Sequence, residues 1–310
     1  TYMNVIKHKW FFLGFSAILM AASIFGYFAY GLKPGIDFTG GTLWQIKFDA
    51  QQSASSTISA VLPTREAIDS FLSEQGVSDA IVTQQDGESA FIIKTKEMDE
   101  PKHQQYAGAM RTKFGAFTEL SFESIGASIG AELTRKALWA FVINLLAISL
   151  YVAYAFRKVS HPVSSWKYAL ITLATLFHDG LIPVGLFAFL GYFMGIEVDT
   201  NFIVAILVVI GFSVHDTIVV FDRIRENLRI GKASEDFGAL VNRSINETIA
   251  RSINTSLTLV IVLAVLYILG AASLKFFVLA MLVGTIAGTY SSIFVASPLL
   301  VVWQGKGRGR

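Results

Sequence analysis

Residues 202–221 read FIVAILVVIGFSVHDTIVVF, a stretch in which only Asp216 carries a charge. A bilayer hydrocarbon core about 30 Å thick needs about 20 apolar residues in a helix that rises about 1.5 Å per residue. The segment must be a helix, because the hydrocarbon offers no water to satisfy the backbone of an isolated strand. This stretch therefore predicts a transmembrane helix that holds a carboxylic acid.

Five further blocks have the same apolar character and predict an α-helical integral membrane protein with six transmembrane helices. They are residues 10–30, 137–156, 166–189, 253–270 and 277–302. The six blocks contain only three charged residues, although the 310-residue chain has 25 basic and 23 acidic ones. This segregation excludes a water-soluble protein and a disordered chain. The absence of cysteine excludes a disulfide scaffold, and a net charge of +2 argues against a nucleic-acid-binding protein.

Basic residues concentrate in alternate connections between the spans. They occur in the tail 1–9, in the 157–165 and 222–252 loops, and in the tail 304–310. Because lysine and arginine favour the cytoplasmic side of a membrane, both tails are expected to be cytoplasmic and residues 31–136 to be exported. Residues 137–303 then form a five-helix bundle. Its 222–252 loop is expected to carry an amphipathic helix at the cytoplasmic interface.

Residues 31–136 have the length and polarity of a small folded domain. Alternating or β-rich runs predict four strands, and helical spacing of apolar residues predicts two helices between them. Asp86-Gly87 is a hairpin signal between the second and third strands. The order βαββαβ predicts a ferredoxin-like α+β domain. We find neither a metal-ligand cluster nor a nucleophile–base pair in this segment. We therefore expect a binding or lever module and no enzyme.

Three charges remain inside the apolar blocks, and two of them need a function. Lys167 lies at a span edge, where its side chain can reach the interface. Asp179 and Asp216 lie well inside their spans, at a cost of about 2.5–3.5 kcal/mol each on insertion scales. Such residues indicate an ion or proton path. His178 and His215 each precede one of the aspartates, and histidine can extend a proton relay near neutral pH.

Arg251 precedes the fifth span at a depth similar to that of Asp216, so an ion pair between them is geometrically possible. An aspartate that alternates between a dry site and an arginine partner takes up a proton in one state and releases it in the other. The alternative is a static Asp216–Arg251 bond that clamps two helices. Each histidine can likewise be a packing residue.

In the sixth span, Ala280, Gly284 and Gly288 form a small-residue face suited to close helix packing.

Two motifs resemble those of the SecF family of bacterial protein-export membrane proteins. The loop Asp37-Phe38-Thr39-Gly40-Gly41-Thr42 follows the first span, and residues 211–227 read GFSVHDTIVVFDRIREN in and after the fourth. On physical grounds alone the loop is a turn that uses two glycines. The six spans and the exported segment between the first two also resemble the family.

The resemblance implies a location, partners and a mechanism. SecF proteins lie in the bacterial inner membrane and pair with SecD in a unit that resembles the RND transporters. This unit joins the SecYEG translocon and uses the proton-motive force to help pull unfolded preproteins outward. Protons are the coupling ion, and no cofactor is expected. The resemblance assigns the proton path to Asp216, Arg251 and Asp179. His215 stands where the family often has asparagine, which leaves its participation open.

Two other functions are considered, one that uses a proton path and one that does not. One is half of an RND-like pump for small molecules or lipids, although a single small exported domain offers no second wall for a substrate tunnel. The other is a scaffold that binds the translocon without ion flow.

Overall fold

The computed structural model describes residues 3–48, 63–77, 79–84, 89–157, 163–230 and 235–305. The chain divides into two compact units. Residues 1–33 and 137–310 form the membrane unit, and residues 34–136 form the sheet unit.

The described elements of the sheet unit follow the predicted order of strands and helices. They are α2 (Ile36–Thr39), β1 (Gly41–Phe48), α3 (Arg65–Glu74), β2 (Ile81–Gln84), β3 (Ala90–Thr95), α4 (Glu100–Phe114) and β4 (Phe117–Ile125). The strands pair in the order β2-β3-β1-β4, and every pair is antiparallel. The predicted turn at residues 86–87 lies outside the described residues.

Alternation along β1 sends every second side chain to one face of the sheet. Trp44 and Ile46 on that face are fully buried, and they share a hydrophobic core with residues of α3 and α4. Both helices begin at a capping side chain, since Thr64 accepts a hydrogen bond from the Ala67 amide and Asp99 accepts one from the Lys102 amide. The sequence-predicted strands and helices therefore build one layered core.

The described residues contain six helical segments that are long and apolar enough to cross a membrane. They are α1 (Lys9–Tyr30), α5 (Ala127–Ala155), α6 (Ser165–Met194), α7 (Thr200–Ile230), α8 (Phe237–Leu269) and the segment Lys275–Gln304. This last segment combines α9 (Lys275–Ser291), a π-helical turn (Ser292–Ala296) and α10 (Ser297–Gly305). The prediction of six helices that are long and apolar enough to cross a membrane is confirmed for the described residues.

The segment 222–252 differs from the expected interfacial helix. Residues up to Ile230 continue α7, and residues from Phe237 onward belong to α8. Leu240, Val241 and Ile245 of α8 are buried in a core that also contains Phe221 and Ile224 of α7. The apolar side chains therefore hold two long helices together, and the described part of the segment forms no separate amphipathic element.

Candidate functional site

Asp179 is buried near the middle of α6, where donors from three helices reach it. Its Oδ2 atom accepts hydrogen bonds from the hydroxyls of Ser213 on α7 and Ser291 on α9, the latter at 2.7 Å. Its Oδ1 atom lies 2.8 Å from Nδ1 of the neighbouring His178. Within the described part of the chain, no lysine or arginine pairs with this carboxyl group.

His178 extends this cluster to a fourth helix. An ionised carboxylate can only accept, so with Asp179 ionised Nδ1 is the donor, and in a neutral ring Nε2 is then an acceptor. Nε2 lies 2.5 Å from the hydroxyl of Ser16 on α1. The His178 side chain is itself buried. Asp179, His178, Ser213, Ser291 and Ser16 thus form one polar network that links α1, α6, α7 and α9.

Asp216 is the second buried acid, and it has fewer partners than Asp179. The residue is only 1% exposed, and its Oδ2 atom accepts a 2.7 Å hydrogen bond from Ser256 on α8. The exposed His215 ring places Nδ1 3.8 Å from Asp216 Oδ1, which is a contact between the two groups longer than a hydrogen bond. Both acids are therefore held mainly by hydroxyl groups.

Hydroxyl partners suit a carboxyl group that changes its protonation state. A serine can donate to a carboxylate or accept from a carboxylic acid by rotating one bond. An arginine side chain can only donate. The structure thus surrounds Asp216 and Asp179 with groups that can accommodate both forms.

The structure does not bring Arg251 and Asp216 together as an ion pair. Arg251 is exposed on α8, and in the residues described its side chain makes neither an ion pair nor a hydrogen bond. Arg251 and Ser256 are five positions apart, which is a rotation of about 140° around a helix. The face of α8 that bonds Asp216 therefore differs from the face that carries Arg251.

Arg251 belongs to a polar stripe on the open side of α8. Asn254, Thr255 and Thr258 continue this stripe, and all three are exposed. His215 on α7 is also exposed, with 64% of its side-chain surface accessible. Exposed polar groups on helices that cross a membrane are unfavourable against lipid. This face of the membrane unit is therefore suited to contact another protein.

The small-residue face of α9 lies against α7. Ala280, Gly284 and Gly288 are buried. A Cβ atom at Gly284 would come within 2.6 Å of Val209, and one at Gly288 within 2.8 Å of Ser213. The close approach at Gly288 places Ser213 where it reaches Asp179. The π-helical turn begins directly after Ser291, the other hydroxyl donor to Asp179, and such turns are frequent at functional sites.

The loop at residues 37–42 has a geometry that explains its two glycines. Asp37, Phe38 and Thr39 lie in the short helix α2, and Thr42 lies in β1, where its hydroxyl accepts a hydrogen bond from the Met98 amide. Gly40 has φ +74°, and a Cβ atom there would lie 2.7 Å from the Cα atom of Ala127. Gly41 has φ +128°, and its Cβ atom would lie 2.9 Å from the Thr95 carbonyl oxygen. Both positions thus exclude a side chain for steric and conformational reasons.

Reasoning from the sequence missed the serines that hold the two acids, namely Ser16, Ser213, Ser256 and Ser291. The only feature in the sequence that could have indicated these serines is that each is a polar residue inside an apolar span. Thr172 and Thr175 on α6 share that feature. Both are buried, yet Thr175 donates to backbone carbonyls of its own helix and not to Asp179.

Two family models match the chain. Residues 105–306 match the model described as protein export membrane protein SecD/SecF, C-terminal. Residues 28–52 match the SecD/SecF GG motif, which includes the loop with Gly40 and Gly41. The first match covers more than half of the chain.

Similar proteins carry names from the same family. A protein translocase subunit SecF from Thermobaculum terrenum is 40% identical, over 98% of this chain and 95% of its own length. One from Anaerolinea thermophila is 35% identical, over 97% of this chain and 94% of its own length. The crystal structure of SecDF, a translocon-associated membrane protein from Thermus thermophilus, matches with a TM-score of 0.79 at 32% identity. The match covers 98% of this chain and 39% of the SecDF chain. The chain belongs to the SecF family of protein translocase subunits.

Proposed function

We propose that this chain works with SecD as a proton-driven subunit that assists protein export across the bacterial inner membrane. The observation that carries the proposal is the setting of Asp216. Its carboxyl group is buried in a spanning helix, its hydrogen-bond donor is a serine, and within the described residues it has no arginine or lysine partner. A static structural acid is normally neutralised by a cation, because an unpaired buried charge is costly. An acid that exchanges a proton needs no permanent cation.

Protonation of Asp216 gives a direct route to movement. A hydrogen bond from Ser256 to an ionised carboxylate is stronger than one to a neutral acid. Loss of the charge therefore weakens the contact between α7 and α8 and permits these helices to shift. Arg251 lies on α8, and a rotation of this helix would bring its positive charge toward Asp216. A nearby positive charge stabilises the ionised carboxylate, so this movement would favour release of the proton.

The polar stripe on α8 supports SecD as the partner. The membrane unit leaves Arg251, Asn254, Thr255 and Thr258 exposed. SecDF proteins carry both subunits in one chain, which supports a second helical bundle against this face. The SecDF protein of known structure is a translocon-associated membrane protein, which supports SecYEG as the further partner.

The sheet unit is the proposed moving part outside the membrane. We place residues 31–136 on the periplasmic side, with both tails in the cytoplasm, because the basic residues concentrate in the opposite loops. The antiparallel order β2-β3-β1-β4, with two helices on one face, supports a ferredoxin-like domain. Its role is to pull or hold the translocating preprotein.

The energy available per proton limits this mechanism. One charge that crosses about 100 mV supplies about 2.3 kcal/mol, which changes a two-state equilibrium by roughly fiftyfold. A shift from almost entirely one state to almost entirely the other needs about 5.5 kcal/mol. More than one proton, or an additional pH gradient, is therefore required for a complete shift from one conformational state to the other.

Proton uptake at neutral pH tests the proposal. Membranes rebuilt with the chain and SecD should take up protons, and Asp216→Asn should abolish most of that uptake. Asp222→Asn is the matched control, because Asp222 lies on the same helix but is more than half exposed and is paired with Arg225. Equal uptake by the wild type and Asp216→Asn would contradict the proposal.

A further inference from the structure

A row of buried hydroxyl groups runs along the inner face of α8, from Asp216 toward the end of the bundle where α7 ends and α8 begins. It consists of Ser256, Ser252, Thr248 and Ser244, spaced four residues apart. At this spacing the four side chains share one face of a helix. Each of the four is 6% exposed or less. We call this row the hydroxyl seam.

Both ends of the hydroxyl seam are fixed to α7. At the inner end, Ser256 donates to Asp216 at 2.7 Å. At the outer end, Asn227 donates to the hydroxyl of Ser244 at 2.9 Å. Asp216 and Asn227 are eleven residues apart on α7, which is a distance of about 16 Å along a helix. The seam is therefore a continuous strip between two antiparallel helices.

The outer end of the hydroxyl seam reaches solvent through charged groups. Asn227 also donates to Glu247 at 2.8 Å, and Glu247 accepts a 2.7 Å hydrogen bond from Arg223. About a third of each of these two charged side chains is exposed. The seam thus connects a buried carboxyl group with a surface carboxylate.

The middle of the seam contains an unused hydroxyl group. Ser252 is 1% exposed, and its Oγ atom has no hydrogen-bond partner among the described residues. A buried polar group without a partner is unfavourable, and alanine at this position would avoid that penalty. Ser244 and Thr248 instead donate to backbone carbonyls of their own helix, whereas Ser256 donates to Asp216 and has the Ser252 carbonyl oxygen 2.9 Å away as an alternative acceptor. Ser252 lies one helical turn from Ser256 and one from Thr248, so its unpaired hydroxyl stands between the two ends of the seam.

We propose that the hydroxyl seam is the proton route between Asp216 and the surface at Glu247. This inference rests on the proposed function, because a route is needed only if Asp216 exchanges protons. A carboxyl group buried in this way cannot exchange a proton with water unless polar groups reach it. Hydroxyls can both donate and accept, and they can therefore line a path on which water relays a proton. The four hydroxyls and Asn227 are positioning residues, and Asp216 is the group that binds the proton.

Cysteine accessibility tests the route without reference to proton flow. The chain has no cysteine, so Ser252→Cys and Thr248→Cys each introduce a single thiol. Only a thiolate reacts with a cationic methanethiosulfonate that cannot cross membranes, and a thiolate forms only where water reaches. With the reagent added on the Glu247 side of membranes that also contain SecD, we expect both variants to react at least about tenfold faster than Ser149→Cys.

Ser149→Cys is the matched control for these thiols. Ser149 is a buried serine on α5 with no hydrogen-bond partner in the described structure, and it does not belong to the seam. Reaction of Ser252→Cys no faster than that of Ser149→Cys would overturn the inference, because the seam would then be a dry packing surface.

Proton uptake then separates the route from the proposed function. Ser252→Val fills the seam with an apolar side chain, and we expect it to slow uptake about tenfold, with Ser149→Val close to the wild type. If Asp216→Asn abolishes uptake but Ser252→Val does not slow it, the route is refuted and the proposed function stands. If Asp216→Asn leaves uptake unchanged, the proposed function fails and the seam is not a proton route, whatever its labelling.

Discussion

Asp179 and Asp216 are both buried acids in spanning helices, but they have different surroundings. Asp179 has donors on α6, α7 and α9, whereas Asp216 has one serine donor and an exposed histidine beside it. Asp179 thus ties more helices together than Asp216 does, although neither acid has a lysine or arginine partner among the described residues. The sequence identified both acids as candidate functional residues, because a charged residue inside an apolar span is rare. It could not predict their serine partners, since serine is also common on packed helix faces and the pairing depends on helix rotation.

Removal of one donor to Asp179 should destabilise the membrane unit. Ser291→Ala deletes a 2.7 Å hydrogen bond to a buried carboxyl group, and such bonds contribute about 1.5–3 kcal/mol. Ser292→Ala is the control, because the hydroxyl of this buried neighbour donates to the backbone carbonyl of Thr289. Thermal unfolding of the purified chain in detergent should show the larger loss for Ser291→Ala. Equal losses for both variants would mean that the bond to Asp179 contributes nothing.

Gly40→Ala should damage the sheet unit more than substitution of another left-handed glycine. Gly40 and Gly115 both have positive φ, so alanine is strained at either position, by roughly 1 kcal/mol. A Cβ atom at Gly40 would also lie 2.7 Å from backbone of Ala127, whereas one at Gly115 would meet nothing within 4 Å. The yield of folded protein and its thermal unfolding should therefore fall further for Gly40→Ala. Similar values for the two variants would show that the clash can be relieved.

At the scale of helices and strands, hydrophobic periodicity predicted which elements exist but not where the long helices end. The six spans follow from 20-residue apolar blocks, and the sheet follows from alternation in residues 42–48. In contrast, α7 continues to Ile230 and α8 begins at Phe237, beyond the predicted spans. These extensions are stabilised by packing between the two helices, and the sequence of one helix does not specify such contacts. The sequence also could not predict which way the Arg251 side chain faces, because this depends on how α8 is rotated against α7. A rotation of about 140° separates the face of α8 toward Asp216 from its open face.

Gly284→Ala should loosen the contact between α9 and α7. The new methyl group would lie 2.6 Å from Val209, so one of the helices must move. Gly211→Ala is the control, because a Cβ atom there meets nothing within 4 Å and alanine favours a helix by roughly 0.5–1 kcal/mol. We expect a lower unfolding temperature for Gly284→Ala and an equal or higher one for Gly211→Ala. The double variant Gly284→Ala with Val209→Ala should recover part of the loss. An unchanged unfolding temperature for Gly284→Ala would contradict close packing at this position.

At the scale of the whole molecule, the membrane unit has one face that does not suit lipid. About half of the spanning window of α6 is buried inside the chain, compared with 17% for α5 and α8. The polar stripe that begins at Arg251 lies on one of these open helices. This chain covers only 39% of the SecDF chain of known structure, and the open face is where we propose that SecD binds. The sequence predicted the partnership through its two motifs, but only the structure identifies the polar residues that a partner would cover.

The most direct test of the central claim is the dependence of preprotein export on the proton-motive force. Membrane vesicles rebuilt with SecYEG, SecD and either the wild-type chain or Asp216→Asn would export a preprotein with and without an imposed proton-motive force. The wild type should respond strongly, Asp222→Asn should match it, and Asp216→Asn should export at the same rate under both conditions. If Asp216→Asn responds as fully as the wild type, Asp216 is not the group that couples proton movement to export.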